Sequence, residues 1–62
     1  MKQWLSGSRL RIVDKDGDRV DFSFYGDDMV VESEQGDEVL LSRDDAVYLA
    51  NEILKHLGES NG

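Results

Sequence analysis

The sequence predicts an α+β fold, a four-stranded antiparallel β-meander followed by one C-terminal α-helix packed on one face of the sheet. Alternation of apolar and polar residues, typical of half-buried strands, recurs between residues 9 and 41. Residues 43–57 instead carry apolar side chains at the spacing of a single helical face. Short glycine-containing segments separate the alternating stretches, and such segments join neighbouring antiparallel strands.

The N-terminal segment, residues 1–8, shows no clear alternation and is interrupted by Gly7. We therefore expect it to lie outside the sheet. Trp4, the only tryptophan, is expected to cover an edge of the core, because its ring has a large apolar area. A second interpretation is that the segment is mobile and folds Trp4 and Leu5 over the face of the sheet that the helix leaves open.

Four segments within residues 9–41 are predicted to be strands, namely 9–13, 19–25, 29–33 and 38–41. The turns between them fix their register. Segments 15–17 and 34–36 fit three-residue hairpin loops with glycine in the left-handed conformation, and segment 26–27 fits a two-residue turn with glycine first. All three turns place the same residues on one face, the apolar face, which is expected to be buried beneath the helix. Its members are Leu10, Ile12, Val20, Phe22, Phe24, Met29, Val31, Val39 and Leu41.

The helix is predicted over residues 43–57. Ser42 is placed to cap its first turn, and Gly58 is placed to end it in the left-handed conformation. Asp44 and Asp45 put negative charge near the N-terminus, where the helix dipole favours it. Residues 58–62 are expected to form a frayed tail, because they have nothing to bury.

The chain has 62 residues, which predicts a single domain over 1–62 with little room for a deep cavity. Its hydrophobic fraction of 39% favours a folded protein, and it contains neither cysteine nor proline. No apolar stretch approaches the roughly 18 residues of a membrane span, so no membrane association is expected and the predicted location is the cytoplasm.

The balance of 14 acidic and seven basic residues gives a formal net charge of −7. Such a charge repels phosphate backbones, so direct nucleic-acid binding is not expected. A protein partner with a basic surface is therefore expected to bind more favourably than a nucleic acid. The plainer interpretation is that the excess of acidic residues keeps a small domain soluble.

The residues that could indicate a catalytic or metal-binding site do not match the spacing that such sites require. Asp14, Asp16 and Asp18 alternate as in a calcium loop, but Arg19 stands where that loop requires glycine. His56 is the only histidine, and its expected role is pairing with a helix neighbour near the C-terminal end of the dipole. We therefore predict no enzyme, no cofactor and no metal site.

The same registers define the opposite side of the sheet, which we call the polar face. One of its rows is predicted to read Arg11, Asp21, Glu32, Glu38, and the next Arg9, Ser23, Val30, Leu40. Three carboxylates side by side are destabilising, and exposed aliphatic residues rimmed by charge are typical of a contact surface. The candidate partner-binding residues are Asp21, Tyr25, Val30, Glu32, Glu38 and Leu40, with Trp4 and Tyr48 as secondary candidates.

The leading hypothesis is a noncatalytic protein-binding or regulatory module that acts through the polar face. In its sharper form the protein is an inhibitor that occupies the nucleic-acid groove of a basic protein and mimics phosphates with Asp21, Glu32, Glu38 and nearby turn carboxylates. One alternative is a structural homo-oligomer, such as a homodimer, in which Tyr25, Val30 and Leu40 meet their symmetry mates. The other is a solvated small domain of unknown role.

Overall fold

The computed structural model describes residues 1–58, which form a five-stranded antiparallel sheet and one C-terminal helix. The strands lie in the sheet in the order of the chain, so every connection joins neighbours. The elements are β1 (Lys2–Ser6), β2 (Arg9–Val13), β3 (Arg19–Tyr25), β4 (Asp28–Ser33), β5 (Glu38–Leu41) and α1 (Arg43–Leu57). The α+β class and the meander are confirmed, but the sheet has one strand more than predicted.

The additional strand, β1, lies in the segment that was predicted to stay outside the sheet. It pairs with β2, so that Lys2 lies opposite Ile12 and Trp4 opposite Leu10. The register then shifts between Trp4 and Ser6, which leaves Leu5 as an extra residue. An inserted residue of this kind interrupts the two-residue alternation, which explains why the sequence pattern did not indicate a strand.

The hairpin loops have the predicted geometry. Gly17 and Gly36 take positive φ angles of 88° and 93°, a region that only glycine enters at little steric cost. The carboxylate of Asp14 accepts hydrogen bonds from the backbone N–H groups of Asp16, at 2.8 Å, and Asp18, at 3.0 Å. These acidic residues therefore stabilise a turn.

The predicted registers are also confirmed. Leu10 lies opposite Phe22, Phe22 opposite Val31, and Val31 opposite Val39. Since side chains alternate along each strand, these pairs place the predicted apolar residues on one side of the sheet. Trp4 extends this row by one strand, because it is paired with Leu10.

Both ends of α1 follow the prediction. The Ser42 hydroxyl accepts a hydrogen bond from the backbone N–H of Asp45 at 3.3 Å. Gly58, at φ 78°, ends the helix, and its N–H donates to the carbonyls of Leu54 and Lys55. Beyond Gly58 the predicted frayed tail lies outside the described residues. No helix within residues 1–58 has the length and apolar character needed to cross a bilayer.

The expectation that the helix buries the apolar face is wrong. Within residues 1–58 no hydrophobic side chain is buried, and Phe24 and Ile12 are exposed on the sheet. The helix approaches only β4 and β5. Because a helix is about 10 Å wide and strands lie about 4.8 Å apart, one helix covers roughly two strands. Beside the helix, apolar side chains of β2, β3 and β4 leave an open groove of about 400 Å³ between sheet and helix.

Candidate partner-binding face

The polar face brings most of the predicted site residues together on adjacent strands. Asp21 lies opposite Glu32, and Glu32 lies opposite Glu38. In the neighbouring row Val30 lies between Ser23 on β3 and Leu40 on β5. The acidic row and the aliphatic row are therefore adjacent, as the turn geometry predicted.

Asp21 is enclosed by two arginines of β2. Its carboxylate accepts hydrogen bonds from Arg11 Nε at 2.8 Å and Arg11 Nη2 at 3.1 Å, a two-pronged contact that fits the guanidinium geometry. Arg9 Nη2 adds a longer contact of 3.4 Å. Asp21 is only 5% exposed, and Ser23 beside it is 7% exposed. These are the two buried residues of the described part of the chain.

The charges of this cluster stabilise each other. The hydrogen bond from Arg11 lowers the pKa of Asp21 below its ordinary value, with the nearby positive charges of Arg11, Arg19 and Arg9 acting in the same direction. These effects outweigh burial, which on its own raises a carboxyl pKa. The same hydrogen bond raises the pKa of the Arg11 guanidinium. Asp21 is therefore ionised and already paired, with little capacity left for a partner.

The predicted register placed Arg11 opposite Asp21, but it did not indicate that Arg9 takes part. Arg9 lies opposite Ser23, two residues along β2 from Arg11, so its side chain reaches Asp21 diagonally. Diagonal neighbours across a strand pair lie within reach of long side chains. Because Ser23 is small, it leaves the space in which Arg9 crosses. In the sequence, the cluster is therefore indicated by the small residue Ser23 opposite Arg9 together with the carboxylate of Asp21 opposite Arg11.

The polar face thus has two unlike halves. One half contains the arginine–aspartate cluster of Arg9, Arg11 and Asp21, in which the positive charges outnumber the negative one. We call the other half the acidic half; it consists of Tyr25, Val30, Glu32, Glu38 and Leu40. Among the described residues no lysine, arginine or histidine forms an ion pair with its two glutamates.

The residues of the acidic half differ in their access to solvent. Leu40 is 65% exposed and Tyr25 is 62% exposed, and Glu38 is also exposed. Val30 and Glu32 are half-buried between their strand neighbours. A flat apolar centre formed by Val30 and Leu40 is therefore bordered by two carboxylates and one aromatic ring.

The secondary candidates lie away from this surface. Trp4 is on the apolar face, with its ring centre 6.3 Å from that of Phe24. The interpretation that Trp4 folds over the polar face is therefore wrong, because β1 is paired with β2 and this pairing turns Trp4 to the apolar side. Tyr48 is exposed on α1, which also lies on the apolar side of the sheet.

The remaining titratable side chains were predicted to form no metal site, and His56 was predicted to pair with a helix neighbour. Among residues 1–58 no group of three or more His, Cys, Asp or Glu residues is arranged to hold a metal ion. His56 Nε2 lies 3.7 Å from Glu52 Oε1 one helical turn earlier, which is the pairing predicted for it. Comparisons of the chain with protein-family models, curated proteins and solved structures found no match.

Proposed function

We propose that the protein is a noncatalytic protein-binding module whose acidic half contacts a basic surface of a protein partner. The observation that carries this proposal is the direct opposition of Glu32 and Glu38 on neighbouring strands, with no ion pair to either of them among residues 1–58. Like charges directly opposite each other destabilise a sheet. A basic partner removes this repulsion when it binds, so the arrangement is more favourable in a complex than in the free protein.

The apolar residues beside the glutamates support the same proposal. Leu40 and Val30 supply area that gains free energy when water is excluded, and Tyr25 adds an aromatic group of the kind enriched at energetically important contacts. Charged residues at the rim of an interface mainly increase the association rate and the specificity. The net charge of −7 attracts a basic partner over a longer range.

In its sharper form the module is an inhibitor that occupies the nucleic-acid groove of a basic protein. Asp21 is enclosed by Arg9 and Arg11, so phosphate mimicry rests on Glu32, Glu38 and neighbouring turn carboxylates. Self-association in which two acidic halves meet is less favourable, because a second copy brings the same two glutamates to the contact.

The experiment is partner capture from the source organism with the immobilised protein at low and at high salt, followed by direct titration of the recovered partner. Replacing both Glu32 and Glu38 with glutamine should weaken binding and reduce its salt dependence, because two charge contacts are lost. Leu40→Ala should weaken binding at both salt levels. Asp44→Asn is the control, because it removes one negative charge from the exposed start of the helix.

If the protein is an inhibitor of this kind, its recovered partner should have one further property. The partner should bind a nucleic acid, and the protein should displace that nucleic acid in competition. If the glutamine and Leu40→Ala variants both capture the partner as wild type does at either salt level, the acidic half is not the binding surface. Tyr48 on the helix then becomes the better candidate.

A further inference from the structure

The apolar side of the sheet leaves more surface open than a monomer of this size ordinarily does. The accessible surface is 4980 Å² for a chain of 7.0 kDa. Compact monomers of this mass expose about 4,000 Å², so the excess is roughly 900 Å². The radius of gyration is 12.6 Å, against about 11 Å expected for a compact chain of this length.

Part of this exposed surface lies in the groove between α1 and the sheet. Its walls are apolar side chains from β2, β3, β4 and the helix, without a charged group among them: Leu10, Ile12, Phe22, Phe24, Met29, Ala46, Val47, Leu49, Ala50 and Ile53. Ile53 is 47% exposed and Leu54, one residue further along the helix, is also exposed. Both walls therefore lack a partner.

The dimensions of the groove indicate what fits there. Five strands at about 4.8 Å spacing form a sheet about 19 Å wide, on which two helices of about 10 Å diameter lie side by side. The chain's own helix occupies the positions over β4 and β5. The remaining width, over β1 to β3, accommodates one more amphipathic helix.

We propose that this additional helix is α1 of a second copy of the chain, so that the protein forms a two-fold symmetric dimer through its apolar face. Each helix then lies over β4 and β5 of its own sheet and over β1 to β3 of its partner's sheet. The arrangement is isologous and closed, since each copy supplies one helix and one groove.

The area favours this occupant. The excess surface of roughly 900 Å² matches the ~800 Å² that each partner buries in a stable interface of standard size. A second copy also offers an apolar surface to this groove, because its helix carries the same uncovered apolar side chains. The uncharged lining lets two copies of net charge −7 meet with their carboxylates at the periphery.

The dimer places the two acidic halves on its outside, because they lie on the opposite side of each sheet. It is therefore independent of the proposed partner binding. Its salt dependence has the opposite sign: screening the net charge of each copy should strengthen the dimer, whereas screening should weaken binding to a basic partner.

The test is sedimentation equilibrium of the full chain at micromolar concentration, at low and at high salt. Wild type should show the dimer mass, and the dissociation constant should fall as salt rises. Ile53→Asp should raise the dissociation constant at least about tenfold, because it places a charge in the apolar contact. Gln35→Asp, which adds the same charge at an exposed turn position away from the groove, is the matched control and should leave the mass unchanged.

A second measurement uses the unmodified chain and so does not depend on whether Ile53→Asp folds. In an equimolar mixture of isotope-labelled and unlabelled protein, filtered NMR spectra should show contacts between Ile53 or Leu54 of one copy and Leu10 or Ile12 of the other. A monomer mass at every concentration, or a dimer without these contacts, would overturn the proposal. Loss of the dimer on Leu40→Asp with retention on Ile53→Asp would overturn it as well, and would assign self-association to the polar face.

Discussion

The two faces of this sheet carry unlike chemistry and are covered to unlike extents. The polar face contains Asp21 and Ser23, the two buried residues of the described chain, whereas the apolar face contains none. On the polar face, the long side chains of Arg9 and Arg11 reach across the strand pair to Asp21 and enclose its carboxylate. On the apolar face, coverage depends on a separate element, and α1 is too narrow for five strands.

The difference shows that two properties of a sheet face have separate causes: which residues it contains, and whether it is covered. Alternation and turn geometry determine which residues share a face. Whether that face is covered depends on the widths of the packed elements and on the presence of another chain. Polar residues near long arginines are covered locally, because an arginine stem carries its own apolar surface.

The first prediction compares adjacent residues on the two faces. Phe22→Ala should lower the free energy of unfolding by about 2 to 3 kcal/mol, less than the 3 to 5 kcal/mol of a fully buried aromatic, because Phe22 is half-buried. Ser23→Ala is the matched change on the polar face and should lower it by less than about 1 kcal/mol. Urea unfolding measures both. Equal losses at the two positions would show that the apolar face is no more important to stability than the polar face.

The second prediction concerns the arginine–aspartate cluster. Asp21→Asn should destabilise the protein at neutral pH, because it leaves Arg9 and Arg11 without their carboxylate. Since folding lowers the pKa of Asp21, its contribution is present above the unfolded value of about 3.9 and is lost as pH falls through the folded value. The difference in unfolding free energy between wild type and variant should therefore shrink in acid.

The control for this pH dependence is Asp27→Asn, which removes the same charge from an exposed turn position. Its difference from wild type should stay small from neutral to acidic pH. An Asp21→Asn variant whose loss of stability is the same at both pH values would show that the loss comes from packing, and that the ion pairs on the polar face contribute little.

Much of the fold was predictable from local signals in the sequence. The loops ending in Gly17 and Gly36 fixed the register, and Ser42 and Gly58 fixed the ends of the helix. The strand β1 was not predictable from alternation, because the extra residue Leu5 interrupts the pattern.

The candidate site was predictable to a similar degree. Register placed Glu32 opposite Glu38 and Val30 opposite Leu40. It did not reveal that Asp21 is enclosed, because the contact from Arg9 is diagonal and depends on the small residue Ser23. Nor did register reveal the open groove, since that follows from the width of a five-stranded sheet and the position of one helix.

The third prediction tests how the helix beside the groove is held. Because α1 buries no residue and approaches only two strands, its caps should matter more than its packing. Ser42→Ala should lower the free energy of unfolding by about 1 kcal/mol, and Ser42→Asp should retain most of the stability. Thermal melts compare the three proteins. A melt of the alanine variant that coincides with wild type would mean that packing on the apolar face holds the helix after all.

The last prediction measures the strain on the polar face directly. Glu32→Gln should leave the free energy of unfolding unchanged or raise it by a few tenths of a kcal/mol, because one of two opposed carboxylates loses its charge. Glu38→Gln should behave in the same way for the same reason. The double variant should gain less than the sum of the two single gains, since either change alone already removes the repulsion between the pair. Urea unfolding at low salt gives the largest signal, and high salt should reduce it by screening. Additive effects at both salt levels would mean that the two carboxylates do not repel each other across the strands, and a basic partner would then have no repulsion to relieve.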